Sequence, residues 1–542
     1  MPIVSRYTPE EKKSYLELGF WPQESTADYW RQNAQAYPDQ EAVCDAQTRL
    51  SWADAWQHVE SLVSGLAECG LAKDDTLLIQ AKNSVWLMLL RLACEESGII
   101  STFLHHGFRR HEIEHVVKLT NPVGAVISAD TDQTDLTAIY RDLQQDHNGL
   151  KYLFKIDDHG PEELPSIERL AERIFDTPLS SVVPGCRFAP GDLTGIVTSS
   201  GTTGHPKCIE FSCTPRLASG RVYVDRLKLT KDDRIASLLP LFTGGADLSY
   251  HTAPQIGAAQ ILIEAFSSDS ACRTVEAERA TGMVLVPTML TRMMASFDKG
   301  EFDFSHLRFI TCGGSPLPYN VAKRAEDLFE AKIIQGYGLM DYGALASHSV
   351  DDPPEKRWST NGRPLDGTEL AGVENLRNAE MEAVEIAAKG PHCVGGYVGH
   401  PTATTQVWRD GFFYTGDLGR LDDEGFLSVV GRSKDIIIRG GQNISASEIE
   451  AVLAQHPDIV EAAAVKMPDP DLGERVCVFV ISASGKAISF ADMVQFMLGH
   501  GTAKFKVPER LEMIEEFPLT AGGNKIDKKV LENYAARLSR ST

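Results

Sequence analysis

The chain has 542 residues, 43% hydrophobic and 24% charged, with ten cysteines and a formal charge of −22. That length exceeds one ordinary domain, so at least two packed units are expected. The acidic balance excludes a nucleic-acid footprint, and any phosphate ligand must be held by local donors and a few well-placed cations rather than by the net field.

The cysteines are scattered without a C-x-x-C pair, which argues against structural zinc and for a reduced, cytoplasmic protein. The first residues run into Glu10-Glu11-Lys12-Lys13 without an apolar core, unlike a secretory signal. The apolar stretch 85–92 is broken by Arg91 and falls far short of a membrane span. In chain order, the patterning predicts a strand at 75–80, a helix at 85–96 and strands at 124–127 and 193–197. Further strands are expected at 261–265 and 281–286. After Pro287 a helical 289–297 follows, then a strand at 309–311, a Gly313-Gly314 turn and a helix at 319–330. This β–α alternation predicts an α/β fold with a large N-terminal domain of mostly parallel sheets covered by helices.

The character changes near 431–435. A strand at 436–438 leads to a Gly440-Gly441 turn, and Ser445 with Glu448 suggests a capping box opening a helix over 446–455, which Pro457 stops. Strands at 459–465 and 476–481 complete a small α+β domain. The expected division is 1–433 and 434–542.

The run Thr198, Ser199, Ser200, Gly201, Thr202, Thr203, Gly204, His205, Pro206, Lys207 is the strongest local signal. Glycines permit close backbone approach, while N–H groups, hydroxyls and one lysine can surround phosphate oxygens. It is not a Walker loop, which needs Gly-x-x-x-x-Gly-Lys followed by Ser or Thr. Alone, such a run is more often a surface turn. In parallel α/β sheets, ligands sit at the carboxyl ends of strands, where this run and the Gly313 turn both fall.

Taken in series, these segments resemble the adenylate-forming superfamily of acyl-CoA synthetases, aryl-acid ligases, luciferases and nonribosomal adenylation domains, over nearly the whole chain. The resemblance implies that 198–207 holds the ATP β- and γ-phosphates, that Gly313, Gly314 and Ser315 border adenine, and that Gly336, Tyr337 and Gly338 supply the platform on which it stacks. Asp417, within Tyr414-Thr415-Gly416-Asp417, and Arg432 are implied to meet the ribose, although an aspartate at such a turn often serves only its amides. Lys525 resembles the catalytic lysine that bridges substrate carboxylate and α-phosphate, with Asn524 where relatives carry glycine. Lys434 resembles the hinge of a mobile C-terminal domain, and Gly440 and Gly441 the wall of the thiol channel.

Two departures stand out. Met340-Asp341 replaces the usual threonine-glutamate, leaving Asp341 as the Mg²⁺ ligand with a shorter reach. Thr243, between Phe242 and Gly244 at the implied acyl site, stands where many relatives carry histidine. The implied activity is ATP-dependent conversion of a carboxylic acid to an acyl-adenylate, then to a thioester with coenzyme A. Alternatives are transfer to a carrier-protein phosphopantetheine, luciferase-like oxidation, and a nucleotide-binding homologue without turnover. The stretches 19–21 and 28–30 resemble aryl- or alicyclic-acid ligases, while a medium-chain fatty acid fits as well. Oligomeric state is not legible.

Overall fold

A computed structural model describes the chain except residues 1–6, 129–134, 157–163, 174–186, 200–205, 299–301, 378–382, 483–487, 520–525 and 540–542. The fold is α/β, with a large N-terminal part built on three sheets and a small C-terminal part on a fourth.

The first sheet has six strands in the order Tyr152–Ile156, Gly124–Ser128, Thr76–Gln80, Ile100–Phe103, Gly195–Ser199, Lys207–Phe211. All neighbours are parallel except the last pair. Strand Thr76–Gln80 is buried at every position, as a parallel strand covered on both faces must be. Helix Val85–Ser97 is capped by Ser84, whose Oγ accepts the Leu87 N–H, and ends at Gly98 with φ +71. The second sheet has nine strands, and the six from Lys332–Leu339 to Glu41–Cys44 run parallel. The strand expected at 261–265 lies instead at Ala259–Leu262, because it pairs in register with Arg234–Ser237. The third sheet is antiparallel and contains Val384–Lys389, Phe412–Leu421 and Leu427–Arg432.

Between Arg432 and Ile436 the chain crosses from the third sheet to the fourth through the short turn Ser433–Asp435, where Lys434 is exposed. The strands expected at 459–465 and 476–481 are longer, Ile459–Asp469 and Gly473–Ser482, and form one antiparallel hairpin. Gly440 (φ +55) and Gly441 (φ +84) close the hairpin of Ile436–Arg439 with Gln442–Ser445; a two-residue turn with both φ positive favours glycine on its own account. The capping box does not form. Ser445 Oγ donates to the Val430 carbonyl (2.8 Å), tying the two domains together, and Glu448 pairs with Lys506. The helix it precedes ends at Leu453 rather than 455.

Trp21 and Trp30, part of the stretches resembling aryl-acid ligases, are packing residues. Trp21 Nε1 donates to the Pro391 carbonyl (2.8 Å), and Trp30 lies edge-on to Trp52 in the main core. Among the described residues no helix is long and apolar enough to cross a membrane.

Candidate active site

Strands Gly195–Ser199 and Lys207–Phe211 are the two arms of a hairpin, with Thr198 opposite Cys208 and Ser199 opposite Lys207. The hydroxyl–glycine run is therefore the connection at the end of a strand. Ser200, Gly201, Thr202, Thr203 and Gly204 lie outside the described residues. Thr198 faces inward: it is buried and its Oγ1 donates to the Phe103 carbonyl (3.0 Å), so its hydroxyl joins two strands. Lys207 Nζ stands 4.4 Å from the ring centroid of Tyr397. Sequence reasoning missed Tyr397, because only sheet-edge pairing brings it here: Tyr397 bridges Ile209, and the Val398 N–H donates to the Cys208 carbonyl (2.8 Å).

The Tyr397 hydroxyl donates to Asp341 Oδ2. Burial first, and then the Asp341 charge, push the Tyr397 phenol well above its ordinary value, so it stays a donor. Asp341 lies just beyond strand Lys332–Leu339, which carries Gly336, Tyr337 and Gly338. Gly313 abuts the same strand: a Cβ there would lie 3.0 Å from the Gly336 carbonyl oxygen, while Gly314 needs its φ of +81. Ser315 is exposed, with Oγ donating to the Gly314 carbonyl (2.9 Å). Gly338 has a separate structural reason, since a Cβ would come within 2.5 Å of the Gly343 carbonyl oxygen.

The Tyr337 hydroxyl donates to Asp417 Oδ2 (2.7 Å), and Arg432 Nε donates to Asp417 Oδ1 (2.9 Å). Asp417 and Arg432 face each other across the third sheet, and the Asp417 N–H donates to Thr415 Oγ1 (3.0 Å). Burial, and then the neighbouring Asp417 charge, hold the Tyr337 phenol far above its usual range.

On the other flank, the Gly244 N–H donates to Met340 Sδ at 3.4 Å. The methionine thus tethers the 243–245 turn to the strand end, a contact no threonine hydroxyl would make with the same reach. Thr243 Oγ1 donates to the Pro240 carbonyl (2.8 Å), bracing its own turn, and Phe242 is buried in a stack with Phe103. Contacts thus link Lys207, Tyr397 and Asp341, and Met340 with Gly244, while the strand that runs into Met340 and Asp341 carries Tyr337 with its partners Asp417 and Arg432 and abuts the Gly313 turn. Lys525 lies outside the described residues, although Leu519 and Ile526 on either side of 520–525 bridge each other.

Among the described residues, one group could offer three metal-ligand atoms, Glu41, Cys44 and Glu278. Arg49 and Arg234 pair with both carboxylates, making it an ion-pair network. Asp341 stands apart from it. Mg²⁺ takes one or two carboxylates together with phosphate oxygens and water. The Asp341 oxygen not bonded to Tyr397 fits that demand.

Residues 30–398 match the AMP-binding enzyme family, and 448–524 match the AMP-binding enzyme C-terminal domain. The chain belongs to the AMP-binding enzyme family. This acid ligase is 31% identical to the medium-chain fatty-acid–CoA ligase of Escherichia coli K12, over 99% of this chain and 95% of that enzyme. It is 30% identical to pyochelin synthase PchD of Pseudomonas aeruginosa, over 97% of this chain and 95% of the relative. Among solved structures, the amide bond synthetase McbA of Marinactinospora thermotolerans superposes with a TM-score of 0.80 at 26% identity, covering 94% of this chain and all of that one. The ligase is thus an adenylate-forming enzyme by family and by fold.

Proposed function

We propose that this ligase joins a carboxylic acid to AMP at the expense of ATP and then passes the acyl group to the thiol of coenzyme A. The observation that supports it best is the bonded line Arg432–Asp417–Tyr337 beside the Gly313 turn, on the strand that leads into Asp341 with its partner Tyr397, over which Lys207 stands. Adenine would lie between the Gly313–Gly314–Ser315 turn and the Tyr337 strand. A carboxylate offers about four acceptor positions. Asp417 uses two on Tyr337 and Arg432, leaving two for the ribose hydroxyls. Lys207 and the loop ahead of it would hold the β- and γ-phosphates. Asp341 would hold Mg²⁺, which supplies positive charge to the phosphate oxygens.

In the first half-reaction, a substrate carboxylate oxygen attacks the α-phosphorus, the bond to the bridging oxygen breaks, and pyrophosphate leaves. Lys525 would neutralise the charge growing on the phosphoryl oxygens. In the second, the thiol sulfur attacks the acyl carbonyl, loses its proton, and AMP departs. Rotation of 434–542 about Lys434 would exchange the Lys525 segment for the Gly440-Gly441 turn, which would border the thiol channel.

A carrier-protein acceptor is the second reading. It is favoured by the 28% identity to a Mycobacterium tuberculosis protein named salicyl-AMP ligase / salicyl-S-ArCP synthetase. Pyrophosphate exchange across aryl, alicyclic and C6–C12 acids tests the first half-reaction; no exchange with any acid would overturn the proposal. Competition between coenzyme A and a holo carrier protein decides the acceptor.

A further inference from the structure

Tyr397 touches two groups of opposite charge and neutralises neither. Its hydroxyl donates to Asp341 Oδ2, and its ring centroid lies 4.4 Å from Lys207 Nζ. A neutral phenol leaves the carboxylate its charge, and an aromatic face holds a cation without a counter-ion. Lys207 and Asp341 do not pair with each other, although one side chain contacts both. The tyrosine is 5% exposed and its backbone is tied down on several sides. It bridges Ile209, two residues along the strand that Lys207 opens, and its N–H donates to Thr404 Oγ1 at 2.9 Å. Just before it, the Gly396 N–H donates to Glu210 Oε2 and the Glu210 N–H to the Gly396 carbonyl, both at 2.9 Å. A Cβ on Gly395 would lie 2.6 Å from the Glu210 Cβ, so glycine permits the close approach of these two segments. The strand that begins at Lys207 thereby fixes the tyrosine that faces it.

We propose that Tyr397 is a positioning residue for the two charges that receive Mg²⁺ and ATP. Its ring holds Lys207 for the phosphates, and its hydroxyl holds one oxygen of Asp341, leaving the other for the metal ion. By contacting both, it keeps the cation and the carboxylate from closing on each other. A direct Lys207–Asp341 pair would spend both charges: the lysine would offer a phosphate less, and the carboxylate would offer a metal ion less. The inference rests on the nucleotide-binding reading above and adds to it the residue that sets its charged groups in place.

The test is calorimetric titration with ATP, first in EDTA and then in saturating MgCl₂; the ratio of the two affinities is the gain that Mg²⁺ brings. Tyr397→Phe keeps the ring over Lys207 and loses the hydroxyl. Metal-free ATP should then bind within about twofold of wild type while the magnesium gain falls about fivefold or more. Tyr397→Leu loses the ring as well, so it should show the same fall in gain and also weaken metal-free ATP binding about threefold or more. In an Asp341→Asn background, Tyr397→Phe should change the magnesium gain no further, a result that general damage to the fold would not give. Thermal unfolding checks each variant; if one Tyr397 variant does not fold, the other decides, because both must lower the gain. An unchanged gain in a folded variant, or equal weakening with and without Mg²⁺ in Tyr397→Phe, overturns the role of Tyr397 and leaves the nucleotide reading standing. Unchanged metal-free affinity in Tyr397→Leu overturns its hold on Lys207. Wild-type enzyme that binds ATP with no magnesium gain overturns Asp341 as the metal ligand, and wild-type enzyme that binds no ATP overturns the nucleotide reading; either result takes this inference with it.

Discussion

Asp417 offers the sharpest test of the nucleotide site. It is 4% exposed and accepts from Tyr337 and Arg432, each with a different oxygen. Replacing it with alanine removes those acceptors and the two positions left for ribose. Hydrogen bonds to a charged group contribute about 1.5–3 kcal/mol each. Losing two ribose bonds should therefore weaken ATP binding by about 3 kcal/mol or more, roughly 150-fold in Kd. The stability cost should be smaller. The Arg432 side chain is 57% exposed, so its pair with Asp417 contributes little in water. The Tyr337 hydroxyl is the more enclosed partner, and stranding it should cost about 1–2 kcal/mol. Calorimetric titration with ATP measures the first quantity and urea unfolding the second. A folded Asp417→Ala protein that binds ATP within about twofold of wild type would refute the reasoning and leave Asp417 as a strand-pairing residue.

Lys525→Ala should slow adenylate formation by about a hundredfold or more, as loss of a transition-state charge partner does, while a supplied acyl-adenylate still reacts with thiol at nearly the wild-type rate. Equal loss in both half-reactions would show that Lys525 does something else. Lys434→Pro should slow thioester formation far more than pyrophosphate exchange, and parallel losses would contradict a hinge there. In the buried cluster of Arg91, Glu95, Tyr250 and His251, burial raises Glu95 from 4.5 to about 7, with Arg91 opposing. The Glu95 contribution to stability is therefore complete below pH 4.5 and lost as pH rises through 7. His251 is pushed the other way, chiefly by burial, so its contribution is present above 6.5 and fades as pH falls. The stability of Glu95→Gln relative to wild type should shift in the variant's favour by up to about 3 kcal/mol between pH 5 and 8, read from urea denaturation at both pH values. A pH-independent difference would place Glu95 at an ordinary carboxylate value.

Much of the fold was legible because parallel strands buried on both faces leave continuous apolar runs, and helix ends leave caps. The runs at 76–80, 282–285 and 309–312 are of that kind, and Ser84 and Gly98 bracket a helix visibly. The hairpin turn at Gly440-Gly441 was equally plain, since positive φ at two successive residues leaves few alternatives to glycine. The strand near 261 shifted because its ends are set by its partners' register, and Ser445 bonded the facing Val430 rather than its own helix. Neither partner is near in sequence.

By itself, the sequence determined the order of the motifs, the turn residues and the chemical types available to a nucleotide: hydroxyls, glycines, Asp417, Lys207 and Lys525. Only the tertiary structure decided which of these meet. Tyr397 reaches Asp341 and Lys207 through a sheet edge, and Met340 holds the Gly244 amide. Local patterning records which face of an element is apolar. It does not record which distant side chain fills the space opposite, because that depends on how sheets and helices stack.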